Sequence, residues 1–177
     1  MKNTVNRLLI AILLILSIIP AISFSQQLPP QSTAASVSAY FSPGGGIRDK
    51  IIARINLSKK SIKMAIYSFT SGDIAWALEN AKKRGVDVKI VADKGQSGGK
   101  SSEIKYLISK GFNVKLLKGK GRGIMHNKFA VFDEKEVVTG SYNWTDNAER
   151  NNYENAMFIS DPKIVEQYSK EFDKLNR

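Results

Sequence analysis

The spacing of apolar residues predicts strands alternating with helices in the first half of a domain that begins near Ser36. The predicted strands are 37–41, 61–70, 86–92 and 113–117, and the predicted helices are 47–57, 70–85 and 102–110. In the first helix, Ile47, Ile51 and Ile55 recur at the spacing that places side chains on one helical face. Short segments rich in glycine, serine and proline separate these elements, as turns and loops do.

Small residues mark where several of these elements begin and end. Thr70 and Asp73 have the spacing of a capping box, so we expect them to begin a helix that ends near Gly85. Glycine and serine in 96–101 predict a loop. In the helix that follows this loop, the residues expected to face inward are Ile104, Leu107 and Ile108.

The second half of the chain changes to a run of strands followed by one helix. Segments 125–132 and 136–139 predict paired strands joined by a turn at Asp133-Glu134-Lys135, and 154–159 predicts a further strand. The last helix begins at Asp161-Pro162, and its apolar face consists of Ile164, Val165, Tyr168, Phe172 and Leu175. This order of elements predicts an α/β fold of the α+β type, in which helices flank one mixed β-sheet.

Residues 1–25 do not fit that domain. Lys2 and Arg7 precede an apolar run, Pro20 interrupts it, and small residues follow, which is the layout of a secretory signal peptide. Two interpretations remain open: a signal peptide that is removed on export to the periplasm or the exterior, or a membrane anchor in which 8–24 contacts the bilayer. Residues 26–35 predict a linker, and residues 36–177 the folded domain.

Composition limits which catalytic groups the chain can use and which partners it is expected to bind. The chain has no cysteine, which excludes thiol catalysis and thiolate metal sites and means that an exported domain must be stable without disulfides. Its formal net charge is +11, and removal of the two basic residues of 1–25 leaves +9. Such an excess of positive charge favours a polyanionic partner, either nucleic acid or an anionic membrane surface.

His126, the only histidine of the chain, lies two residues before Lys128 in a predicted strand. Side chains two positions apart on a strand share one face, so the imidazole and the ammonium are expected to project together. Downstream, Ser141 and Asn143 add a hydroxyl and an amide, which with the lysine form a donor set for phosphate oxygens. Glu154, on a later strand, could accept a hydrogen bond from Nδ1 of the histidine and leave Nε2 free to attack. The pattern predicts attack on a phosphate.

The string His126-x-Lys128-x4-Asp133-x6-Gly140-Ser141-x-Asn143 resembles the HKD motif of the phospholipase D superfamily. Residues 36–177 are similar to the single-motif bacterial endonucleases of that superfamily. The resemblance implies a covalent phosphohistidine at His126, phosphate binding by Lys128 and Asn143, support from Ser141, and orientation of the histidine by Glu154. It implies a structural role for Asp133, since a carboxylate facing a phosphate would repel it. It also implies a reaction without a metal or another cofactor.

With a single histidine, the chain has no second imidazole to protonate the leaving oxygen. If His126 attacks phosphorus, it cannot also protonate the leaving oxygen in the same step. A two-fold homodimer with a shared active site would bring a second His126 to the reaction, and the resembled family is built in this way. Glu154, a lysine or a tyrosine are the alternatives within one chain.

Basic residues alternate with glycines just before the motif. Lys118, Lys120 and Arg122 in this segment are predicted to contact a phosphate backbone without reading bases. Trp144 remains open between stacking on a base and packing in the core or in a dimer interface. The preferred hypothesis is a metal-independent endonuclease that acts on DNA with little sequence specificity, with RNA as a further candidate substrate. The alternatives are a phospholipase D that acts on an anionic phospholipid such as cardiolipin, and a non-catalytic protein that binds nucleic acid.

Overall fold

One seven-stranded mixed sheet organises the part of the chain that the structure, a computed structural model, describes, residues 35–177. The predicted export or anchor segment and residues 26–34 of the predicted linker lie outside the described residues. The strands are β1 (Val37–Ser42), β2 (Ser61–Ile66), β3 (Asp87–Asp93), β4 (Asn113–Leu117), β5 (Lys128–Phe132), β6 (Glu136–Gly140) and β7 (Glu154–Ile159). The helices are α1 (Ile47–Leu57), α2 (Gly72–Lys83), α3 (Lys94–Ser97), α4 (Glu103–Ser109), α5 (Asp146–Arg150) and α6 (Pro162–Leu175).

The strand order is β1-β7-β6-β5-β2-β3-β4. β2, β3 and β4 are parallel neighbours, and helices lie between them in the chain because parallel strands need a crossover connection. The remaining pairs are antiparallel, including β2 with β5, in which Ile66 lies opposite Lys128. The end of β2 therefore meets the start of β5, where the predicted histidine and lysine lie.

Helices cover both faces of the sheet. α1, α2 and α4 bury one face, in a cluster that includes Ile51, Leu78 and Leu107. α6 packs on the other face, where Val165 and Phe172 belong to a second cluster. β5 is buried along its whole length because both of its faces are covered, which explains its uninterrupted apolar sequence. None of the helices within residues 35–177 is long and apolar enough to cross a membrane.

The predicted fold class is confirmed, and so are most of the predicted elements. α1 and β4 have the predicted bounds, and α6 begins after Asp161, whose side chain accepts from the backbone N–H groups of Lys163 and Ile164. α3 and α5 were not predicted, because helices of 4 and 5 residues are too short to show a period.

The predicted capping box at Thr70 and Asp73 is wrong. α2 begins at Gly72 with Ser71 as its N-cap, and no side chain caps it. The backbone N–H groups of Thr70 and Ser71 donate instead to the carbonyl oxygen of Trp144, at 2.9 and 3.0 Å. These bonds draw the segment toward the loop after β6, so β2 ends at Ile66 and not at residue 70 as predicted.

One inward position of α4 was also predicted wrongly. Ile104 and Leu107 are buried, but Ile108 is 46% exposed. Successive residues of a helix are separated by about 100° around its axis, so Ile108 is turned away from the face that Leu107 buries. The contact of α4 with the core is therefore narrower than predicted.

Candidate active site

His126 and Lys128 meet where β5 begins. Lys128 is the first residue of β5, whereas residues 125–127 lie outside regular structure. The strand predicted for 125–132 is therefore too long, and the two residues do not share a strand face. They come together all the same: Nζ of Lys128 lies 3.2 Å from Nε2 and 3.4 Å from Nδ1 of His126. Nζ also donates to the carbonyl oxygen of His126 at 3.1 Å, which holds the lysine against this segment.

Lys128 is a buried cation, with 9% of its surface exposed. Burial lowers the pKa of Lys128 below its ordinary value, and the negative charge of Glu154 opposes that shift. An anion bound beside Nζ would stabilise the charged form further. A lysine that binds a phosphate needs this positive charge, because a hydrogen bond between an ammonium and a phosphate oxygen is strengthened by their opposite charges.

Ser141 and Glu154 are hydrogen-bonded where β6 ends and β7 begins. Ser141 Oγ donates to Glu154 Oε2 at 2.5 Å and accepts from the backbone N–H of Asn155 at 3.1 Å. Asn152 Nδ2 donates to the other carboxylate oxygen of Glu154 at 3.0 Å. Gly140 permits this close approach, because a Cβ there would lie 2.2 Å from the carbonyl oxygen of Asn155. The Gly-Ser step of the motif thus ties two strand ends together.

Glu154 does not make the predicted hydrogen bond to His126 in this structure. Its two carboxylate oxygens accept from Ser141 and Asn152, and the hydrogen-bond contacts of the His126 ring among the described residues are with Lys128. Glu154 still acts on the site through its charge, which favours the ammonium form of Lys128. The catalytic roles that the resemblance assigns to these residues stay predictions.

Asn143 lies between β6 and α5, beside Trp144. Its Oδ1 is buried and has no hydrogen-bond partner among the described residues. A buried polar atom without a partner costs free energy and is uncommon outside sites that bind a ligand. Because Oδ1 is an acceptor, it cannot bind a phosphate oxygen, so the predicted phosphate contact of Asn143 falls to its Nδ2 donor and stays a prediction.

Asp133 lies at the opposite end of β5 from Lys128. Its carboxylate accepts from the backbone N–H groups of Lys59, Lys60 and Ser61, at distances from 2.7 to 3.1 Å. Burial disfavours the ionised form, but these backbone donors outweigh it and hold the pKa of Asp133 below its ordinary value. Five residues of extended chain separate Asp133 from Lys128 by about 16 Å. These hydrogen bonds are the contacts that the structural role predicted for Asp133 requires, and the role itself stays a prediction.

A turn with an unusual backbone presents this carboxylate. Asp133 and Glu134 have φ values of 53° and 54°, and the backbone N–H of Lys135 donates to the carbonyl oxygen of Phe132 at 2.9 Å. Positive φ at both central residues is the mark of a type I′ hairpin turn, whose twist suits the flanking strands. The hairpin predicted at Asp133-Glu134-Lys135 is confirmed.

Lys118 and Arg122 line a groove of about 390 Å³ that also includes Asp93 and Ile124. Lys120, predicted with them, is not among the lining residues. The segment folds back on itself, because the backbone N–H of Gly119 donates to the carbonyl oxygen of Gly123 at 3.1 Å. Ile124 is two residues from His126, so the groove opens close to the candidate nucleophile.

Trp144 is a core residue. It is 2% exposed, and its ring packs edge-on against Phe69 with centroids 5.6 Å apart. The interpretation in which this tryptophan stacks on a base, or lies in a dimer interface, is therefore wrong. The bulky side chain after Asn143 fixes the loop that carries the amide.

Sequence reasoning missed one side chain that touches the candidate nucleophile. The ring of Tyr67 lies 4.5 Å, centroid to centroid, from that of His126. The sequence placed Tyr67 inside a strand, where it looked like an ordinary core aromatic. Its position follows from the antiparallel pairing of β2 with β5, which no local pattern reveals. Within residues 35–177, no group of three or more His, Cys, Asp or Glu side chains is placed to hold a metal ion.

Comparison with known proteins found a matching family model and several similar proteins. A family model described as "Cardiolipin synthase, PLD-like domain" matches residues 51–176. A protein named phospholipase D from Rickettsia typhi is 34% identical over 139 residues, which are 78% of this chain and 67% of that protein. The mitochondrial cardiolipin hydrolase of Xenopus laevis is 34% identical over 126 residues, which are 71% of this chain and 59% of that protein. The similarity therefore spans only part of the length of these relatives.

Two solved structures share the fold along most of their length. Nuc from Salmonella typhimurium, described as a phospholipase D family member, superposes with a TM-score of 0.73 at 38% identity, covering 79% of this chain and 93% of Nuc. NucT from Helicobacter pylori superposes with a TM-score of 0.72 at 35% identity, covering 80% of this chain and 95% of NucT.

Proposed function

The chain belongs to the phospholipase D superfamily of phosphodiester hydrolases, and from that premise we propose that it is an endonuclease that cleaves DNA, and also RNA, without a metal and with little sequence specificity. The observation that carries the proposal is the contact of His126 with a buried Lys128, close to a basic groove. A nucleophile beside a desolvated cation suits attack on a phosphodiester, whose negative charge the lysine would neutralise.

The proposed reaction has two steps at His126. In the first, Nε2 forms a bond to phosphorus, the bond from phosphorus to the leaving oxygen breaks, and that oxygen takes up a proton. In the second, water attacks phosphorus and gives a proton to the group that protonated the leaving oxygen, the bond from nitrogen to phosphorus breaks, and the free histidine returns. Lys128 and Asn143 would hold the non-bridging oxygens through both steps, with Ser141 and Glu154 beside them.

We propose nucleic acid as the substrate because of the charge around the site. Lys118 and Arg122 line the groove that includes Ile124, two residues before His126, and residues 26–177 carry a net charge of +9. Contacts from lysine and arginine to a phosphate backbone carry no sequence information, which accounts for low specificity. Lys120 is assigned to the outer part of the same contact surface.

An anionic phospholipid such as cardiolipin is the second candidate substrate. The names of the Rickettsia and Xenopus relatives, phospholipase D and mitochondrial cardiolipin hydrolase, favour it. The chemistry at phosphorus is the same for both substrates, so the walls of the site decide between them. The two basic side chains that line the groove, Lys118 and Arg122, support nucleic acid.

We propose that two chains form a homodimer with a shared active site. With one histidine per chain, a second His126 is the simplest donor of a proton to the leaving oxygen, and Glu154, a lysine or a tyrosine are the alternatives within one chain. Val37 and Phe41 on β1 point to one face of the sheet and are 59% and 63% exposed, and Phe41 pairs with Asn155, next to Glu154. Exposed apolar side chains of this size fit contact with a second copy.

The dimer is tested by the double substitution Val37→Glu and Phe41→Glu. We expect a mass of one chain in light scattering, together with loss of cleavage, whereas the wild-type chain should have the mass of two. A wild-type chain that is monomeric and fully active would contradict the shared site.

We also propose that the domain acts outside the cytoplasm, in the periplasm or beyond, with 1–25 as a removable signal peptide. Anchoring through the apolar segment 8–24 is the alternative. N-terminal sequencing of the protein from its own host distinguishes them, since removal of the signal predicts a start near residue 26 and an anchor predicts an intact N-terminus.

The function is tested by incubating the full chain in excess EDTA with double- and single-stranded DNA, RNA and cardiolipin vesicles side by side. We expect cleavage of nucleic acid and no release of phosphatidic acid. His126→Ala, purified in the same way, controls for contaminating nucleases and should be inactive. Hydrolysis of cardiolipin with intact nucleic acid would favour the second candidate, and tight DNA binding without turnover would favour a non-catalytic binding protein.

A further inference from the structure

Tyr67 holds the ring of His126 from one side. Residues 125–127 lie outside regular structure, so the ladder of β5 does not set the direction of the histidine. Tyr67 follows directly after β2, and the pairing of Ile66 with Lys128 brings it to the same place. The rings of Tyr67 and His126 are 4.5 Å apart between centroids at an interplanar angle of 62°, an edge-on contact.

The same aromatic ring contacts Lys128. Nζ of Lys128 lies 5.2 Å from the centroid of the Tyr67 ring, within the distance at which a ring face attracts a cation. Because Nζ also contacts both ring nitrogens of His126, the three side chains touch one another in a closed set. Removing the ring of Tyr67 would release both of the others.

Tyr67 is itself fixed by the segment that follows β3. Gln96 Nε2 donates to the Tyr67 hydroxyl at 3.1 Å, and the backbone N–H of Gln96 donates to Asp93 Oδ1 at 2.9 Å. The other carboxylate oxygen of Asp93 accepts from the backbone N–H of Met125 at 3.1 Å. Asp93 is 3% exposed and its bond with Met125 is buried, whereas the bond from Gln96 to the Tyr67 hydroxyl is exposed. The chain just before His126 and the ring beside it are thus tied to one buried carboxylate.

We propose that Tyr67 is a positioning residue for phosphodiester hydrolysis: its aromatic ring holds the His126 imidazole and the Lys128 ammonium in their reactive arrangement, and Gln96 and Asp93 hold the ring. The ring carries this role, and the hydroxyl supports it through Gln96. The inference rests on the proposed reaction at His126 but not on nucleic acid as the substrate.

The kinetic test compares Tyr67→Leu with Tyr67→Phe on bis(p-nitrophenyl) phosphate in EDTA. Tyr67→Leu removes the ring, and we expect kcat to fall about 10- to 100-fold, because small displacements of reacting groups are this costly. KM should change less than about 3-fold, since Tyr67 does not itself bind the phosphate. Tyr67→Phe keeps the ring and should retain kcat within about 3-fold. Tyr106→Leu, on α4, is the matched control and should leave kcat unchanged.

The spectroscopic test does not depend on turnover. His126 is the only histidine of the chain, so a ¹H–¹³C spectrum of histidine-labelled protein contains one Cε1–Hε1 signal. We expect Tyr67→Leu to move this signal, because the ring current of Tyr67 is lost, and Tyr67→Phe to leave it near the wild-type position. Gln96→Ala keeps the ring but frees its hydroxyl, and should move the same signal by a smaller amount.

Three results would overturn the proposal. They are wild-type kcat in Tyr67→Leu, an unmoved histidine signal in the same variant, and a loss of kcat in Tyr67→Phe as large as in Tyr67→Leu. If Tyr67→Leu does not fold, as judged by circular dichroism, an unmoved signal in Gln96→Ala contradicts the proposed support. A wild-type protein that hydrolyses the small diester but not DNA or RNA would contradict the substrate proposal and leave this test intact.

Discussion

The two ends of β5 carry the charged residues of one sequence motif and are built in opposite ways. At the start of the strand, Lys128 is buried against His126 and Tyr67, and burial lowers the pKa of Lys128. At the end, the carboxylate of Asp133 accepts from the backbone N–H groups of 59–61, and its pKa is lowered because those donors favour its charge. Burial thus disfavours the charged form of Lys128, whereas hydrogen bonds from backbone N–H groups favour the charged form of Asp133.

This difference separates reactivity from stability within a single motif. A desolvated lysine beside the proposed nucleophile would gain from the arrival of an anion, so the start of β5 fits the proposed phosphate site. A carboxylate bound by backbone donors gains nothing from a ligand and instead fixes the segment between α1 and β2. Substitutions at the start should therefore change the rate, and substitutions at the end should change the free energy of unfolding.

The largest expected effect is on the rate in His126→Asn. We expect kcat to fall by at least about 10⁴-fold, because the nucleophile is removed. The free energy of unfolding in urea should change by less than about 1 kcal/mol, since the side chain is exposed. Asp133→Asn is the matched control at the other end and should retain kcat within about 3-fold. Equal losses of activity in His126→Asn and Asp133→Asn would contradict the proposed difference between the two ends of β5.

Lys128→Met should combine a large loss of rate with no loss of stability. We expect kcat to fall about 10²- to 10³-fold, as when one charge-stabilising donor is removed from an active site. Replacing a buried ammonium by an apolar chain of similar length should leave the free energy of unfolding unchanged or raise it. Kinetics and urea unfolding of the same preparation measure both quantities. A clear loss of stability would mean that Lys128 serves the fold as well as the site.

Asp133→Ala should have the reverse effects. Removing the carboxylate leaves the backbone N–H groups of Lys59, Lys60 and Ser61 without their acceptor, so we expect the free energy of unfolding to fall by about 2–3 kcal/mol. Below the unfolding transition, kcat should stay within about 3-fold of wild type. Asp133→Asn keeps an acceptor oxygen and should lose less stability. A kcat that falls as far as in Lys128→Met would show that Asp133 takes part in the reaction.

The smallest expected effect is the pH dependence of the contribution that the Asp133 carboxylate makes to the free energy of unfolding. Its pKa is lower in the folded chain than in the unfolded chain, so the unfolded state binds more protons at acidic pH. The stability due to the carboxylate is present above the unfolded pKa of about 3.9 and is lost as the pH falls through the folded pKa. The difference in unfolding free energy between wild type and Asp133→Asn should therefore be constant above about pH 5 and shrink at lower pH. A difference that does not change down to about pH 2 would contradict the assignment.

Much of the fold could be predicted from local patterns. The bounds of α1 and β4 and the start of α6 follow from apolar spacing and from caps that lie within a few residues of each other. The short helices α3 and α5 could not be predicted in this way. The departure of the chain from the β2 ladder after Ile66 was also hidden, because Trp144, which accepts the hydrogen bonds of Thr70 and Ser71, lies far along the chain.

The candidate site divides in the same way. The spacing of His126, Lys128, Asp133, Ser141 and Asn143 in the sequence was enough to predict phosphate chemistry. The burial of Trp144 and the place of Tyr67 beside the histidine depend on which strands are neighbours. Strand pairing brings together residues that are distant in sequence, so the spacing of apolar residues along the chain does not predict it.

By itself, the sequence determined the fold class and the family, and it supplied the residues that are predicted to bind a phosphate. These depend on composition, local period and a spaced motif, all of which are properties of the chain alone. Only the tertiary structure decided that Lys128 is buried, that the carboxylate of Asp133, about 16 Å from Lys128 along β5, accepts from backbone N–H groups, and that Tyr67 touches both His126 and Lys128. The reason is physical: burial and desolvation, which determine what a charged group can do, come from the elements that pack around it and not from its neighbours in the chain.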